Sequence, residues 1–259
     1  MSSNGQGFRY EMWPQESGNV ALLTVIGRTR LNLIGVATIT EAAAGIRALA
    51  SDSTLRCAVL QGPAEDRFIG GADLRELRTL SAQNATEFVG AIHSLCAAIR
   101  EFPVPVIARI SGHCLGGGLE IAAACDFRIC DHSAVFGMPE VRVGVPSVVE
   151  AALLPQLIGW GKTRELIYRG NLIDATEAAR IGLVEHDVGE NDIAEMIDEV
   201  VADILAAAPN AIRLQKNLCR QWEQSSIEEG IEAGLDVFAE AYETDEPSRY
   251  CQQFFDRNK

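Results

Sequence analysis

GHCLGGGLE (112–120) is the stretch on which the reading of this chain turns. It puts Gly116, Gly117 and Gly118 in a row, two positions before a glutamate, between the apolar runs VPVIARI (104–110) and IAAACDFRIC (121–130). Ordering three glycines costs more backbone entropy than ordering other residues, and a carboxylate in apolar surroundings costs more again. A local arrangement this unfavourable points to a role. The glycines predict a strand-to-helix turn, with VIARI (106–110) as the strand and LEIAAAC (119–125) as a short helix. At such a turn the first backbone N–H groups have no partner within the helix, and without side chains an oxygen atom can come close to them. Tight packing of helix on sheet is the alternative use of the same glycines.

Outward from the turn, strand and helix alternate. NVALLTVIG (19–27) and RCAVLQG (56–62) read as buried strands, TEAAAGIRALA (40–50) as a helix, and FRIC (127–130) as a further strand. FVGAIHSLCAAIREF (88–102) is the clearest helix of the first half, with Phe88, Ile92, Leu95, Cys96 and Ile99 on one face and Pro103 and Pro105 beyond its end. This alternation predicts an α/β fold with a mostly parallel sheet. From about residue 147 the patterns become helical: 147–159, 162–170, 175–182, 191–208, 210–222 and 226–242, with one short strand at LVEHDV (183–188). Ile227, Ile231, Leu235 and Phe238 share one face of the last of these. The expected organisation is a catalytic core over 1–199 and a helical C-terminal region over 200–259.

Composition excludes several classes. The 259 residues are 47% hydrophobic and 22% charged, which suits a globular domain. A net charge of −14 argues against a general nucleic-acid or anionic-membrane binder, because those need a cationic face. The seven cysteines contain no C-x-x-C pair, so reduced thiols are expected and no zinc site. No apolar run approaches the roughly 20 residues of a membrane span, and the first residues lack the apolar segment of a signal peptide. Cytoplasmic localisation is the expectation.

Three more positions carry chemistry. FIGGADLREL (68–77) leaves strand 56–62 through the loop GPAEDR and presents a second glycine-rich turn, either an ordinary helix start capped near Asp73 or a backbone donor at Ala72. Ligands of parallel sheets bind at the carboxyl ends of strands, so two such turns face one crevice. Glu120 has no polar face to belong to, which favours a functional role over a solvated one. Glu140, in VFGMPEVRVG (135–144), reads alone as a loop residue. Paired with Glu120 it becomes half of an acid–base couple, because two carboxylates in one dry pocket shift each other's pKa.

Taken together, IARISGHCLGGGLEIAAACDFRIC (107–130), FIGGADLREL upstream and FGMPEVRVGVP (136–146) downstream resemble the enoyl-CoA hydratase/isomerase, or crotonase, family. The likeness runs from about residue 19 to 190. The resemblance implies a crotonase-like core of ββα-type repeats with a C-terminal trimerisation region, hence a homotrimer or dimer of trimers. It also implies an acyl-CoA thioester as substrate, with no cofactor beyond the coenzyme A that the substrate carries. Carried over by position, the thioester oxygen is held by the N–H groups of Ala72 and Gly117, and Glu120 and Glu140 are the two acids of a hydratase. Gly71, Asp73, Leu74, Gly116 and Ser147 fall against the substrate. Arg30 and Arg75 are candidates for the phosphates of coenzyme A, Arg28 reads as a surface charge, and Asn32 and Ile34 are expected near the adenine.

The chain also departs from the family. VRVGVPSVVEAA (141–152) is one residue shorter than the usual glycine-rich segment beside the acyl pocket, with Ser147 where a glycine is expected. FIGGAD replaces an alanine-glycine-alanine form, and GRTRLN (27–32) lacks the asparagine-arginine-proline turn. These differences leave an isomerase, another acyl-CoA lyase or hydrolase, or a non-catalytic acyl-CoA binder as rivals. A dinucleotide-binding dehydrogenase does not fit, since GRTRLN is no G-x-G-x-x-G after the first strand.

Overall fold

The computed structural model describes residues 5–257. A six-stranded sheet forms its centre, in the order β1-β2-β3-β4-β6-β9. The strands are β1 (Gly7–Gln15), β2 (Gly18–Ile26), β3 (Leu55–Gln61), β4 (Val106–Ile110), β6 (Phe127–Asp131) and β9 (His186–Val188). β1 and β2 form an antiparallel hairpin, and every later pairing is parallel. A second, three-stranded sheet joins β5 (His113–Leu115), β7 (Val135–Gly137) and β8 (Leu172–Asp174).

Side chains alternate across the central strands as the pleat requires. Ala21, Leu23, Val25, Ala58, Leu60, Val106, Ala108 and Ile110 face the larger apolar core. That core is completed by helices α1 (Val36–Leu49), α3 (Ala85–Arg100) and α4 (Gly117–Ala123). Val20, Cys57, Val59, Ile107 and Ile129 face the other way, onto Ile193, Ile197, Val201 and Ile204 of α7 (Ile193–Ala206). Between these lie the short helices α2 (Leu74–Leu77) and α6 (Ala175–Arg180), and α5 (Leu154–Arg169), whose course breaks at Gly159. Two 3-10 turns, Pro139–Val143 and Val149–Leu153, lead into α5. The residue 199/200 division falls inside α7, whose apolar stripe belongs to the sheet.

Three further helices follow: α8 (Pro209–Trp222), α9 (Ile227–Ala241) and α10 (Glu246–Arg257). α8 is tied to the core by the buried Lys216, which pairs with Asp126 at 2.7 Å and donates to the carbonyls of Ile99 and Val104. On α9, Ile227, Ile231, Leu235 and Phe238 lie on one face as their spacing predicts, and that face is exposed throughout. All seven cysteines are free.

The strongly patterned elements agree with the sequence reading within a few residues. α3 buries Phe88, Ile92, Leu95, Cys96 and Ile99, and β4 spans 106–110. β1 was not expected: it is an edge strand with one neighbour, most of its side chains reach solvent, and it carries no apolar run. The strands of the small sheet are three residues each, too short for an alternation to register. The helix expected over 147–159 is divided between the 3-10 turn and the start of α5.

Candidate active site

The glycine turn is built as its sequence requires. Gly116 caps α4 at φ +51°, a conformation that side chains disfavour. A Cβ there would collide with Oε1 of Glu140, and one at Gly118 would collide with the carbonyl oxygen of Ile69. The glycines therefore serve close approach: one lets a carboxylate in, the other lets two chain segments touch. Gly117 opens α4, so its N–H has no acceptor within the helix.

The second glycine-rich segment lies against the first. Leu115 N–H donates to Ile69 O at 3.3 Å, and Gly116 N–H donates to Gly137 O at 2.9 Å. Ile34 N–H donates to Gly71 O and Asp73 N–H donates to Ile34 O, both at 2.9 Å. Ala72 between them is thereby turned so that its own N–H points away from Ile34. Among the described residues, neither the Ala72 nor the Gly117 N–H has an acceptor. Two free donors thus stand on adjoining segments, as an oxyanion site needs.

Glu120 is 4% exposed, and its Oε1 accepts from Ala151 N–H at 3.2 Å. Burial pushes its carboxyl up, the charge of Glu140 pushes it further, and the Ala151 N–H pulls it part of the way back. Its pKa is raised to about 8. Glu140 is half-buried at the start of the 3-10 turn, where its Oε2 accepts from Ser147 Oγ at 2.8 Å. Burial raises its pKa as well, against the hydrogen bonds from its own backbone N–H and from Ser147. The segment 147–151 therefore bonds one acid through a hydroxyl and the other through an amide. Val149, in the middle of that segment, is held at φ +35°, a conformation that costs a β-branched residue about 1–3 kcal/mol.

The structure brings together Ala72, Gly116, Gly117, Glu120, Glu140 and Ser147, and Gly71 is buried beside them. It places the rest elsewhere or in other employment. Asp73 is buried at the N-cap of α2, where it accepts from Arg75 N–H at 3.0 Å and pairs with Arg75 and Arg28 at 3.4 and 3.8 Å. Leu74 and Arg75 are exposed. Arg30 lines a separate cleft of about 570 Å³ with Glu65, Arg67, His113 and Asp131, at the carboxyl ends of the parallel strands. Neither glutamate lines that cleft.

Asn32 and Ile34 have no exposed surface. Asn32 is spent on the fold: its Nδ2 donates to Val25 O and Phe68 O, and its Oδ1 accepts from Gly27 N–H. The sequence reading also passed over Glu150. This residue is buried in the 3-10 turn, with Oε1 at 2.7 Å from His93 Nδ1 on α3. The signal that drew attention to Glu120 was present here too, a carboxylate inside the apolar run VVEAALL (148–154).

Among the described residues no three His, Cys, Asp or Glu side chains gather as a metal ion would need, and no helix is long and apolar enough to cross a membrane. The model of the family described as enoyl-CoA hydratase/isomerase matches residues 15–259, so the likeness extends through the helical tail. The chain is 30% identical to a crotonyl-CoA hydratase of Syntrophomonas wolfei subsp. wolfei, over 95% of each chain. It is also 30% identical to a short-chain-enoyl-CoA hydratase of Clostridium acetobutylicum, over 95% of this chain and 94% of that one. Among solved structures, an enoyl-CoA hydratase from Bacillus anthracis superposes with a TM-score of 0.90 at 28% identity, over 97% of each chain.

Proposed function

The chain belongs to the enoyl-CoA hydratase/isomerase family and has its crotonase-like fold, and from that premise we propose that it is a hydratase, adding water reversibly and syn across a 2-enoyl-CoA thioester. The observation that carries this reading is the pair of buried acids, Glu120 and Glu140, bonded by one segment and raised by burial. Addition of water to the β-carbon sends negative charge onto the thioester oxygen. The Ala72 and Gly117 N–H groups receive that charge, and one such donor is worth about 2.7–4 kcal/mol of transition-state stabilisation.

The two acids titrate as a couple. At rest the one proton between them sits on Glu120, whose carboxyl is raised to about 8; the working form has it on Glu140, so that Glu120 takes a proton from the water while Glu140 gives one to the α-carbon. The proton on Glu120 after the forward step returns the couple to the same total charge. Hydration passes no electrons to an acceptor, so it calls for no cofactor beyond the coenzyme A of the substrate. Arg30 and Arg75, both exposed, are the residues offered to its phosphates. The exposed apolar face of α9 supports self-association as a homotrimer or dimer of trimers, and a cytoplasmic location belongs to the same proposal. The residue 200–259 region is the part assigned to association.

Hydration of crotonyl-CoA and longer enoyl thioesters, followed at the absorbance of the conjugated double bond, tests the proposal. Glu120→Gln and Glu140→Gln should each lower kcat by about 10²–10⁴. A double-bond shift that survives Glu120→Gln and disappears with Glu140→Gln would make the chain an isomerase. Thioester binding without turnover would make it a carrier.

A further inference from the structure

Glu150 is a buried carboxylate that the hydration chemistry does not use. Its side chain is 8% exposed. One oxygen, Oε1, meets His93 Nδ1 at 2.7 Å, and His93 closes it off from the outside, being itself largely exposed on α3. The other oxygen, Oε2, is buried and makes no hydrogen bond among the described residues, the weakly donating Cys96 thiol being the neighbour beside this carboxylate. An acceptor taken out of water and left unmatched is unfavourable, and far more so for a carboxylate.

Its surroundings are those of the two acids. Ala151, the next residue, donates to Glu120, and Ser147, three residues earlier, donates to Glu140. The turn that carries Glu150 packs against both α3 and α4, and Cys96, fully buried on α3, has its thiol pushed well up by burial and then by Glu150 and Glu120. The departures from the family around residues 141–152 converge on this same turn.

We propose that Glu150 is a specificity-determining residue, whose unmatched Oε2 accepts a hydrogen bond from a hydroxyl carried by the acyl group beyond its β-carbon. The assignment rests on the acyl-CoA reading of the same site. A plain alkyl chain leaves the oxygen unmatched, and a pocket built around a polar partner discriminates strongly against the analogue that lacks it. A carboxylate-ended acyl group is refused, since it would set a second carboxylate directly against that of Glu150. His93 acts through Glu150 as a positioning residue, holding the carboxylate so that Oε2 stays turned inward.

The test uses the full chain and two readouts. Calorimetry gives Kd for saturated acyl-CoA thioesters of four to six carbons, each with an ω-hydroxyl, an ω-carboxyl or a plain end, and these cannot react. Hydration kinetics give kcat/KM for the corresponding 2-enoyl thioesters. The expected result is a preference of tenfold or more for the hydroxylated thioester at one chain length, with the carboxylated one weakest. In Glu150→Leu that preference should collapse to within threefold. Glu150→Gln, which keeps the shape and one neutral acceptor, should retain part of it and covers the case in which the leucine variant does not fold. His93→Ala should weaken binding of the hydroxylated thioester and leave the plain one unchanged. Equal affinities for plain and hydroxylated thioesters in the unaltered chain, or a preference that persists in both Glu150 variants, would overturn the assignment. A hydroxyl preference in Kd without any hydration would sink the hydratase reading alone and leave Glu150 as the acyl-group contact.

Discussion

Glu120 sits 4% exposed among side chains that are nearly all apolar, whereas Phe238 on α9 leaves 68% of its surface open to water. The two regions break the rule of burial in opposite senses. Around the glycine turn, charge has been taken inside, and the fold surrounds it with tightly packed backbone. Along α9, apolar side chains have been left outside, on a helix whose only buried residue is Gly230. The first region is tolerant of almost no change because its atoms are in contact on every side. The second tolerates change within one chain, because its side chains face water. Function is expected where such local costs stand, chemistry at the turn and association at the tail.

The largest effect should come from filling the turn. Gly118→Ala sets a Cβ against the Ile69 carbonyl, where only backbone could yield, and is expected to cost about 3 kcal/mol or more, read from the urea midpoint. A midpoint equal to that of the unaltered chain would show that the turn is looser than its geometry.

Next in size is the cost of the buried charge. The carboxyl of Glu120 is raised from 4.5 to about 8, so the stability it contributes is fully present below about pH 4.5 and is lost as the pH rises through 8. Glu120→Gln, which cannot ionise, should therefore be more stable than the unaltered chain by about 3 kcal/mol at pH 8 and show no such gain at pH 4. The same titration removes the shared proton, so kcat/KM for hydration should fall as the pH rises through about 8. A profile that climbs steadily across that range contradicts the shared-proton mechanism.

The tail supplies the opposite control. Leu235→Asp with Phe238→Asp should shift sedimentation from an oligomer to a single chain, while the urea midpoint of the core moves by no more than about 0.5 kcal/mol. A single-chain species before any substitution would remove the association reading. The smallest effect is at Gly90, exposed on α3, where an added methyl group would meet no atom within 4 Å. Gly90→Ala should raise stability by about 0.5–1 kcal/mol, seen as a Tm higher by about 2–3 °C.

How much of this was legible in the chain depends on the range of the signal. α3 and β4 were legible because a helical stripe and a buried strand are written into neighbouring residues. β1 was not, since its pairing with β2 stabilises a strand whose own side chains mostly face water. The structural bonds of Asn32 were not legible because nothing local says that its amide bonds Phe68, 36 residues away. Glu150 was missed although its apolar setting matched that of Glu120.

From sequence alone it followed that glycines flank a carboxylate in an apolar run, that a second glycine-rich turn leaves a neighbouring strand, and that the last helices carry an apolar stripe. These are short-range facts, set by side-chain size, charge and spacing. Which acids meet was decided only by the tertiary structure. Ser147 reaches Glu140 across 7 residues, Ala151 reaches Glu120 across 31, and Glu150 reaches His93 across 57. Packing of the 3-10 turn between α3 and α4 makes these meetings, and no pattern of adjacent residues encodes a distance closed by the fold.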